Sequence, residues 1–172
     1  IKFGIIIHWG LYSQKGILES WGLCPEDEDW IGRNGYTNYD DYARDYRDTR
    51  KEFNPVDFNP SKWASAIKSA GAKYMIFTTK HHDGFCMYDS KFSNFKVTSP
   101  EVPFSSNPKS NIAREVFDAF RSEGLMVGAY FSKPDWSGPG FWWEYFPPKD
   151  RNPNYDITKH PDVWKGYVEY TR

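Results

Sequence analysis

The sequence predicts a parallel α/β fold of about three strand–helix units, and the order of apolar runs and glycines supports this prediction. Continuous apolar runs of strand length occupy residues 3–9, 72–79 and 125–132. Segments with helical spacing of apolar residues precede the second and third runs and end at Gly71 and Gly124. Glycine commonly ends a helix because it adopts the left-handed conformation without strain. Runs that are apolar throughout are typical of parallel strands, so we expect all three strands to be buried on both faces.

Four helices are predicted from spacing and from helix-end signals. A polar helix over residues 39–50 places its tyrosines roughly on one face. Amphipathic helices are expected after Ser61, which is a suitable N-cap, and over residues 110–124. The last helix begins near Pro161. Residues 10–38 show no regular periodicity, and a loop of this length in a compact domain is usually functional.

Composition excludes several classes of function. A formal net charge of −1 gives no sign of a basic face, so no nucleic-acid partner is expected. No stretch approaches the roughly 20 apolar residues that a membrane span needs. Aromatic residues make up 19% of the chain, which fits buried aromatics or an aromatic-lined site for a polar ligand such as a sugar ring. Cys24 and Cys86 are too few for a disulfide framework, and their pairing is left open.

Polar residues concentrate directly after the predicted strands. His8 follows the first strand, His81 and His82 follow the second, and Asp135 follows the third. In parallel α/β folds, active sites lie at this carboxyl edge. The first strand lacks the glycine-rich turn of a dinucleotide-binding sheet, so the pattern favours the N-terminal portion of a (β/α)8 TIM barrel. A complete barrel needs about 250 residues, so we expect residues 1–172 to be one part of that barrel, truncated at both ends.

Three interpretations of the histidines compete. Each of His8, His81 and His82 could hydrogen-bond to the backbone in a purely structural role. All three could bind a metal ion, although neighbouring residues of a strand point to opposite faces and no HxH or HExxH spacing is present. Neutral imidazole also offers one donor and one acceptor, which suits the hydroxyls of a sugar. Trp136 and the aromatic segment 139–145 could pack on the apolar face of such a ring, so we favour this third interpretation.

Three sequence blocks add a resemblance to a known family. KFGIIIHWGLYS, KYMIFTTKHHDGF and GAYFSKPDW resemble the N-terminal half of an α-L-fucosidase of glycoside hydrolase family 29. The resemblance extends from residue 2 to about residue 136. It implies a (β/α)8 barrel followed by a β-sandwich, and retaining hydrolysis of terminal α-L-fucosyl linkages by double displacement. It implies a fucosylated oligosaccharide or glycoconjugate as partner, no cofactor or metal, and a secreted, periplasmic or lysosomal location.

The resemblance also implies which residues hold the sugar. Fucose-binding positions of the family match His8, His81, His82 and Tyr130. The family places a Glu-Trp pair in the loop after the first strand, where this chain offers two imperfect matches. Asp29-Trp30 has Asp in place of Glu, and Glu19-Ser20-Trp21 has an additional residue between the two. We expect Asp29 and Trp30 to fill this role, with Trp21 as the rival.

No catalytic carboxylate is predicted within the chain. In the family the nucleophile is an Asp at the end of the fourth strand, which is expected after residue 172. Asp83 is expected to brace the histidine turn, and Asp135 the loop after the third strand. We therefore expect residues 1–172 alone to lack hydrolase activity. Two alternatives are a catalytically inactive relative that binds fucosides and a metal-dependent hydrolase. Linkage preference and oligomeric state are left open.

Overall fold

The described part of the chain forms one small parallel sheet with helices packed against it. This computed structural model describes residues 3–24, 30–33, 35–138, 140–142 and 155–172. The sheet has three strands in the order β1-β2-β3. Strand β1 is Gly4–Ile7, β2 is Tyr74–Lys80 and β3 is Met126–Phe131. Both strand pairs are parallel, which confirms the predicted α/β arrangement.

Five α-helices accompany the sheet within the described residues. They are α1 (Leu11–Lys15), α2 (Tyr39–Asp48), α3 (Pro60–Ser69), α4 (Ile112–Ser122) and α5 (Pro161–Tyr170). Short 3-10 turns span Trp21–Leu23, Thr49–Glu52 and Pro103–Ser106. The last four α-helices match the prediction, whereas α1 lies in a segment predicted to be irregular. No helix of the described residues is long and apolar enough to cross a membrane.

Side-chain capping and glycine conformation determine where α3 begins and where α3 and α4 end. Asn59, rather than the predicted Ser61, caps α3, because its side-chain oxygen accepts the backbone N–H of Lys62 at 3.1 Å and a proline occupies the first helical turn. The Ser61 prediction is therefore wrong. Gly71 and Gly124 have φ angles of +88° and +73°, so both end their helices as predicted.

The core lies between the sheet and the helices. Met75 and Phe77 of β2 are fully buried on this face, and Phe77 packs against Phe117 of α4. The opposite face differs from the prediction, because Ile6 and Met126 on the two outer strands are 50% and 49% exposed. Only the central strand, which has a neighbour on each side, approaches burial on both faces. The expectation of three fully buried strands is therefore wrong for β1 and β3.

The two cysteines are both part of the buried interior. Neither Cys24 nor Cys86 forms a disulfide within the part of the chain that the structure describes. Burial raises the pKa of the Cys86 thiol above its usual value, and a thiol that stays protonated is a poor nucleophile. Cys86 therefore acts as a small apolar core residue.

Candidate functional site

The predicted histidines and Tyr130 converge at the carboxyl edge of the sheet. His8 follows β1, His81 and His82 follow β2, and Tyr130 is the second-last residue of β3. The His8 ring centroid lies 5.7 Å from that of His81 and 5.2 Å from that of Tyr130. His81 and His82 have ring centroids only 4.2 Å apart. Parallel strands in register therefore bring together side chains from three segments that are far apart in sequence.

Hydroxyl groups fix the rings of His8 and His81. Thr78 Oγ1 lies 2.9 Å from Nδ1 of His8, and the fully buried Ser20 Oγ lies 2.6 Å from Nδ1 of His81. Nε2 of His81 faces the carboxylate of Glu19 at 3.4 Å. A carboxylate only accepts hydrogen bonds, so this neighbour favours the tautomer with the proton on Nε2. His81 therefore directs this N–H toward the Glu19 carboxylate.

The contacts of Ser132 favour the opposite tautomer for His82. Ser132 Oγ donates to the carbonyl oxygen of Pro134 at 3.1 Å. While it does so, its hydrogen bond with Nδ1 of His82 is satisfied by a proton on Nδ1. Nε2 of His82 is consequently an acceptor. Adjacent histidines thus offer one donor and one acceptor.

Burial keeps both histidines neutral. Desolvation, followed by the charges of His8 and Lys80, lowers the pKa of His81 to about 4. Desolvation, followed by the neighbouring His81 and Lys80, lowers the pKa of His82 to about 3. A neutral imidazole keeps one donor and one acceptor, whereas a protonated one has two donors. Each ring therefore keeps one donor and one acceptor at neutral and mildly acidic pH.

Glu19 is the acidic residue that the loop after β1 delivers to the histidines. Its carboxylate accepts the indole N–H of Trp21 at 2.7 Å while facing His81. Its φ angle is +53°, a left-handed conformation that non-glycine residues adopt rarely and often at functional positions. For the Glu-Trp pair of the family, the sequence favours Asp29-Trp30 over the rival segment Glu19-Ser20-Trp21. Glu19 enters the prediction only as part of that rival segment. The geometry supports that rival.

Of the favoured pair Asp29-Trp30, only Trp30 belongs to the described residues. Asp29 is outside the described residues. Trp30 is 62% exposed and packs edge-on against Trp21, with ring centroids 5.3 Å apart. Trp21, in contrast, packs directly on His82 at a centroid distance of 4.8 Å. The structure therefore places Trp21 in the histidine cluster and Trp30 next to it, at the solvent side.

Trp136 completes the aromatic wall around His82. Its ring centroid lies 4.9 Å from that of His82 and 5.7 Å from that of Trp21. Its backbone N–H donates to the carbonyl oxygen of His82 at 2.8 Å. The sequence analysis indicates Trp136 as a source of aromatic surface, but Trp136 is not among the predicted sugar-binding residues. The aromatic segment named with it lies mostly outside the described residues.

Two buried acids, Asp83 and Asp135, accept hydrogen bonds within the turn and the loop that carry the site residues. Asp83, 1% exposed, accepts the Tyr46 hydroxyl at 2.7 Å and the backbone N–H of Phe85 at 3.1 Å. Burial outweighs these bonds and raises the pKa of Asp83 to about 6. Asp135 accepts the backbone N–H groups of Ser137 at 3.1 Å and Gly138 at 2.7 Å. These contacts agree with the bracing roles expected for both acids.

The site also contains a possible ligand set for a metal ion. His8, Glu19 and His81 each offer one ligand atom, and these atoms lie within 4.8 Å of one another. The metal site that the sequence suggested consists of His8, His81 and His82, so the structure differs from it in having Glu19 where His82 was expected. Imidazole nitrogen and carboxylate oxygen are both ligands for zinc, so a chelator distinguishes metal binding at these residues from direct sugar binding.

Comparisons with known proteins agree on one family. The α-L-fucosidase family profile matches residues 1–171. Human tissue α-L-fucosidase is 33% identical over 145 residues, which cover 80% of this chain and 29% of the relative. Tissue α-L-fucosidase of Macaca fascicularis is 32% identical over an alignment 182 residues long, gaps included. This alignment covers 95% of this chain and 37% of the relative. The chain thus spans about a third of the length of these curated relatives.

Solved structures are similar as well. α-L-Fucosidase isoenzyme 1 from Paenibacillus thiaminolyticus has 35% sequence identity and a TM-score of 0.69, covering 98% of this chain and 37% of that one. An α-L-fucosidase from Lactobacillus casei, solved in complex with α-L-fucose product, has 30% identity and a TM-score of 0.64. That alignment covers 95% of this chain and 48% of that one.

The fold and site define an α/β protein whose sheet edge carries imidazole, carboxylate and indole groups. The family profile matches nearly every residue of the chain. The chain belongs to the α-L-fucosidase family.

Proposed function

We propose that this chain is the N-terminal portion of a retaining α-L-fucosidase and that it holds the fucosyl ring of the substrate. The observation that carries this proposal is the neutral histidine pair beside a carboxylate. His81 offers a donor, His82 offers an acceptor, and Glu19 lies next to both the His81 imidazole and the Trp21 indole. Such a set matches neighbouring sugar hydroxyls, each of which both donates and accepts.

The remaining side chains complete the proposed sugar pocket. His8 after β1 and Tyr130 of β3 add two further rings to the pocket, with ring centroids 5.2 Å apart. Trp21 and Trp136 supply apolar surface beside His82, against which the C–H face of a sugar can pack. Polar groups fixed by hydroxyl partners need little reorganisation on binding, which favours affinity. We propose that Glu19 supplies the carboxylate of this pocket in place of Asp29.

The proposal includes the rest of a (β/α)8 barrel outside this chain. Three consecutive parallel strands with their site at the carboxyl edge fit the first part of such a barrel. A retaining glycosidase needs a nucleophile and an acid/base about 5 Å apart. Asp83 and Asp135 are buried in bracing hydrogen bonds and do not fit either role. As the family resemblance implies, we propose that the nucleophile is an Asp at the end of the fourth strand, after residue 172, and that residues 1–172 alone are inactive.

The substrate and location are proposed from the relatives. The Lactobacillus casei enzyme was solved with α-L-fucose, which supports a fucosylated oligosaccharide or glycoconjugate as substrate. Relatives carry the names tissue and plasma α-L-fucosidase, which supports a secreted, periplasmic or lysosomal location. The proposed chemistry uses two carboxyl groups and no cofactor.

The decisive experiment measures L-fucose binding by the longer protein that carries this chain. Isothermal titration calorimetry would compare the wild type with His81→Ala and His82→Ala, each with and without EDTA. We expect each substitution to weaken binding about tenfold, because each removes a hydrogen bond in a largely buried site. EDTA should have no effect. His160→Ala is the matched control, because His160 is exposed and precedes α5 without a side-chain cap hydrogen bond.

The possible outcomes separate the alternatives. Unchanged binding in both variants would contradict the assignment of the histidine pair. Binding abolished by EDTA would support a metal-dependent site at His8, Glu19 and His81. Normal L-fucose binding without hydrolysis of an aryl α-L-fucoside by the wild type would identify an inactive fucoside-binding relative.

A further inference from the structure

A row of aromatic rings leads from the histidine cluster to the solvent. His82 packs on Trp21 at a centroid distance of 4.8 Å, and Trp21 packs on Trp30 at 5.3 Å. Trp136 lies beside the first step of the row, 5.7 Å from Trp21. Trp21 and Trp136 are half-buried, whereas Trp30 is 62% exposed. The exposed aromatic area therefore increases with distance from the histidines.

Trp30 is placed to contact a different ring from the one that the histidines would hold. The full indole of Trp21 separates Trp30 from His82. A sugar seated on His81 and His82 would leave Trp30 free for the next ring of the same ligand. An indole that remains largely exposed retains apolar area that a ligand can cover, and aromatic faces of this kind contribute strongly at binding surfaces.

We propose that Trp30 is a stacking platform for the sugar residue to which fucose is attached. This inference rests on the proposed function and adds to it a site for the leaving-group sugar. The ligand class is a pyranose ring linked to C1 of an α-L-fucosyl unit. The indole covers the apolar C–H face of that pyranose and so favours fucosylated glycans over fucosides with small leaving groups. Trp30 acts on selectivity and has no part in bond cleavage.

The test compares binding of two sugars to the longer protein. One is free L-fucose, and the other is a panel of sulfur-linked α-L-fucosyl disaccharides, which resist hydrolysis and cover the different linkages. We expect at least one disaccharide to bind the wild type more tightly than L-fucose. Trp30→Ala should weaken that disaccharide about tenfold and leave L-fucose unchanged. Trp30→Phe should restore part of the loss, since a smaller aromatic face remains.

Phe92→Ala is the matched control. Phe92 is 63% exposed, similar to Trp30, but its ring packs on Tyr170 of α5 rather than on the histidine cluster. This control should leave the affinity for both sugars unchanged. A Trp30→Ala variant that binds the disaccharide as tightly as the wild type, or that loses both sugars equally, would overturn the inference. So would a wild type that binds no disaccharide more tightly than L-fucose.

Failure of the proposed function would look different. A wild type that binds neither L-fucose nor any disaccharide would overturn the proposed function together with this inference. A wild type that binds L-fucose through His81 and His82, with no effect of Trp30 on the disaccharides, would overturn the inference alone.

Discussion

The buried ammonium of Lys80 lies 3.5 Å from the carboxylate of Asp135, and this pair joins the end of β2 to the loop after β3. Lys80 is fully buried and also donates to the carbonyl oxygen of Pro134 at 3.2 Å. A Cβ on Gly84, whose φ angle is +80°, would come within 2.3 Å of the Asp135 carboxylate. Glycine at this position therefore lets the histidine turn approach the ion pair closely, which holds His82 next to the following loop.

Lys80→Met should destabilise the longer protein strongly. The substitution leaves the Asp135 carboxylate buried without its cation, a change that typically costs about 3–5 kcal/mol. Thermal unfolding measures the loss, and Lys73→Met serves as the control because Lys73 is exposed directly before β2. The double variant Lys80→Met/Asp135→Asn should be less destabilised than Lys80→Met alone. Equal losses for Lys73→Met and Lys80→Met would contradict the proposed role of the pair.

Tyr46 and Tyr42 provide a matched pair of substitutions on one helix. Both are fully buried on α2. The Tyr46 hydroxyl donates to Asp83, whereas the Tyr42 hydroxyl has no hydrogen-bond partner among the described residues. Tyr46→Phe should lower the free energy of unfolding by about 1–3 kcal/mol, because it leaves a buried carboxylate with one bond fewer. Tyr42→Phe should be neutral or stabilising, and chemical denaturation would show whether the two variants differ in this order.

The elevated pKa of Asp83 predicts a specific pH dependence of stability. The folded-state pKa is about 6, above the value of about 3.9 for an unfolded aspartate. The folded state therefore favours the protonated acid. The stabilising contribution is complete below about pH 4 and is lost as pH rises through about 6. The difference in thermal midpoint between wild type and Asp83→Asn should change across this window, and a constant difference would contradict the assignment.

The opposite tautomers of His81 and His82 can be observed directly. We expect nitrogen NMR of ring-labelled histidine to show the proton of His81 on Nε2 and that of His82 on Nδ1. Both rings should stay neutral at pH 5, because burial lowers their pKa values to about 4 and about 3. Ser132→Ala should remove the tautomer preference of His82 but not that of His81. Identical tautomers in the wild type would contradict the hydrogen-bond network.

Glu19 and Asp29 compete for the acidic role in sugar binding. Glu19→Gln keeps an acceptor for the Trp21 indole but removes the charge facing His81. We expect L-fucose binding to weaken about tenfold, since hydrogen bonds to charged groups contribute about 1.5–3 kcal/mol. Asp29→Asn should leave the affinity unchanged. Calorimetric titration with L-fucose ranks the two variants, and the reverse order would restore the pair favoured by the sequence.

Local sequence signals predicted much of the fold and part of the site. Apolar runs fixed the three strands, and Gly71 and Gly124 marked the helix ends because each has a positive φ angle. The rule that parallel strands share a carboxyl edge was sufficient to place His8 beside His81. These features depend on short-range periodicity and on a general property of parallel sheets, so no knowledge of loop paths was needed.

Tertiary structure decided which loop residues reach the histidines and which strand faces are covered. Glu19 enters the site through a left-handed turn that no local periodicity indicates, and its distance from His81 depends on the whole path between β1 and β2. Lys80 meets Asp135 across 55 residues because β3 lies next to β2. The sequence by itself determined the three strands, the last four described α-helices and the edge that carries the chemistry. Only long-range packing determined the partners of each side chain, because those contacts depend on where several loops converge.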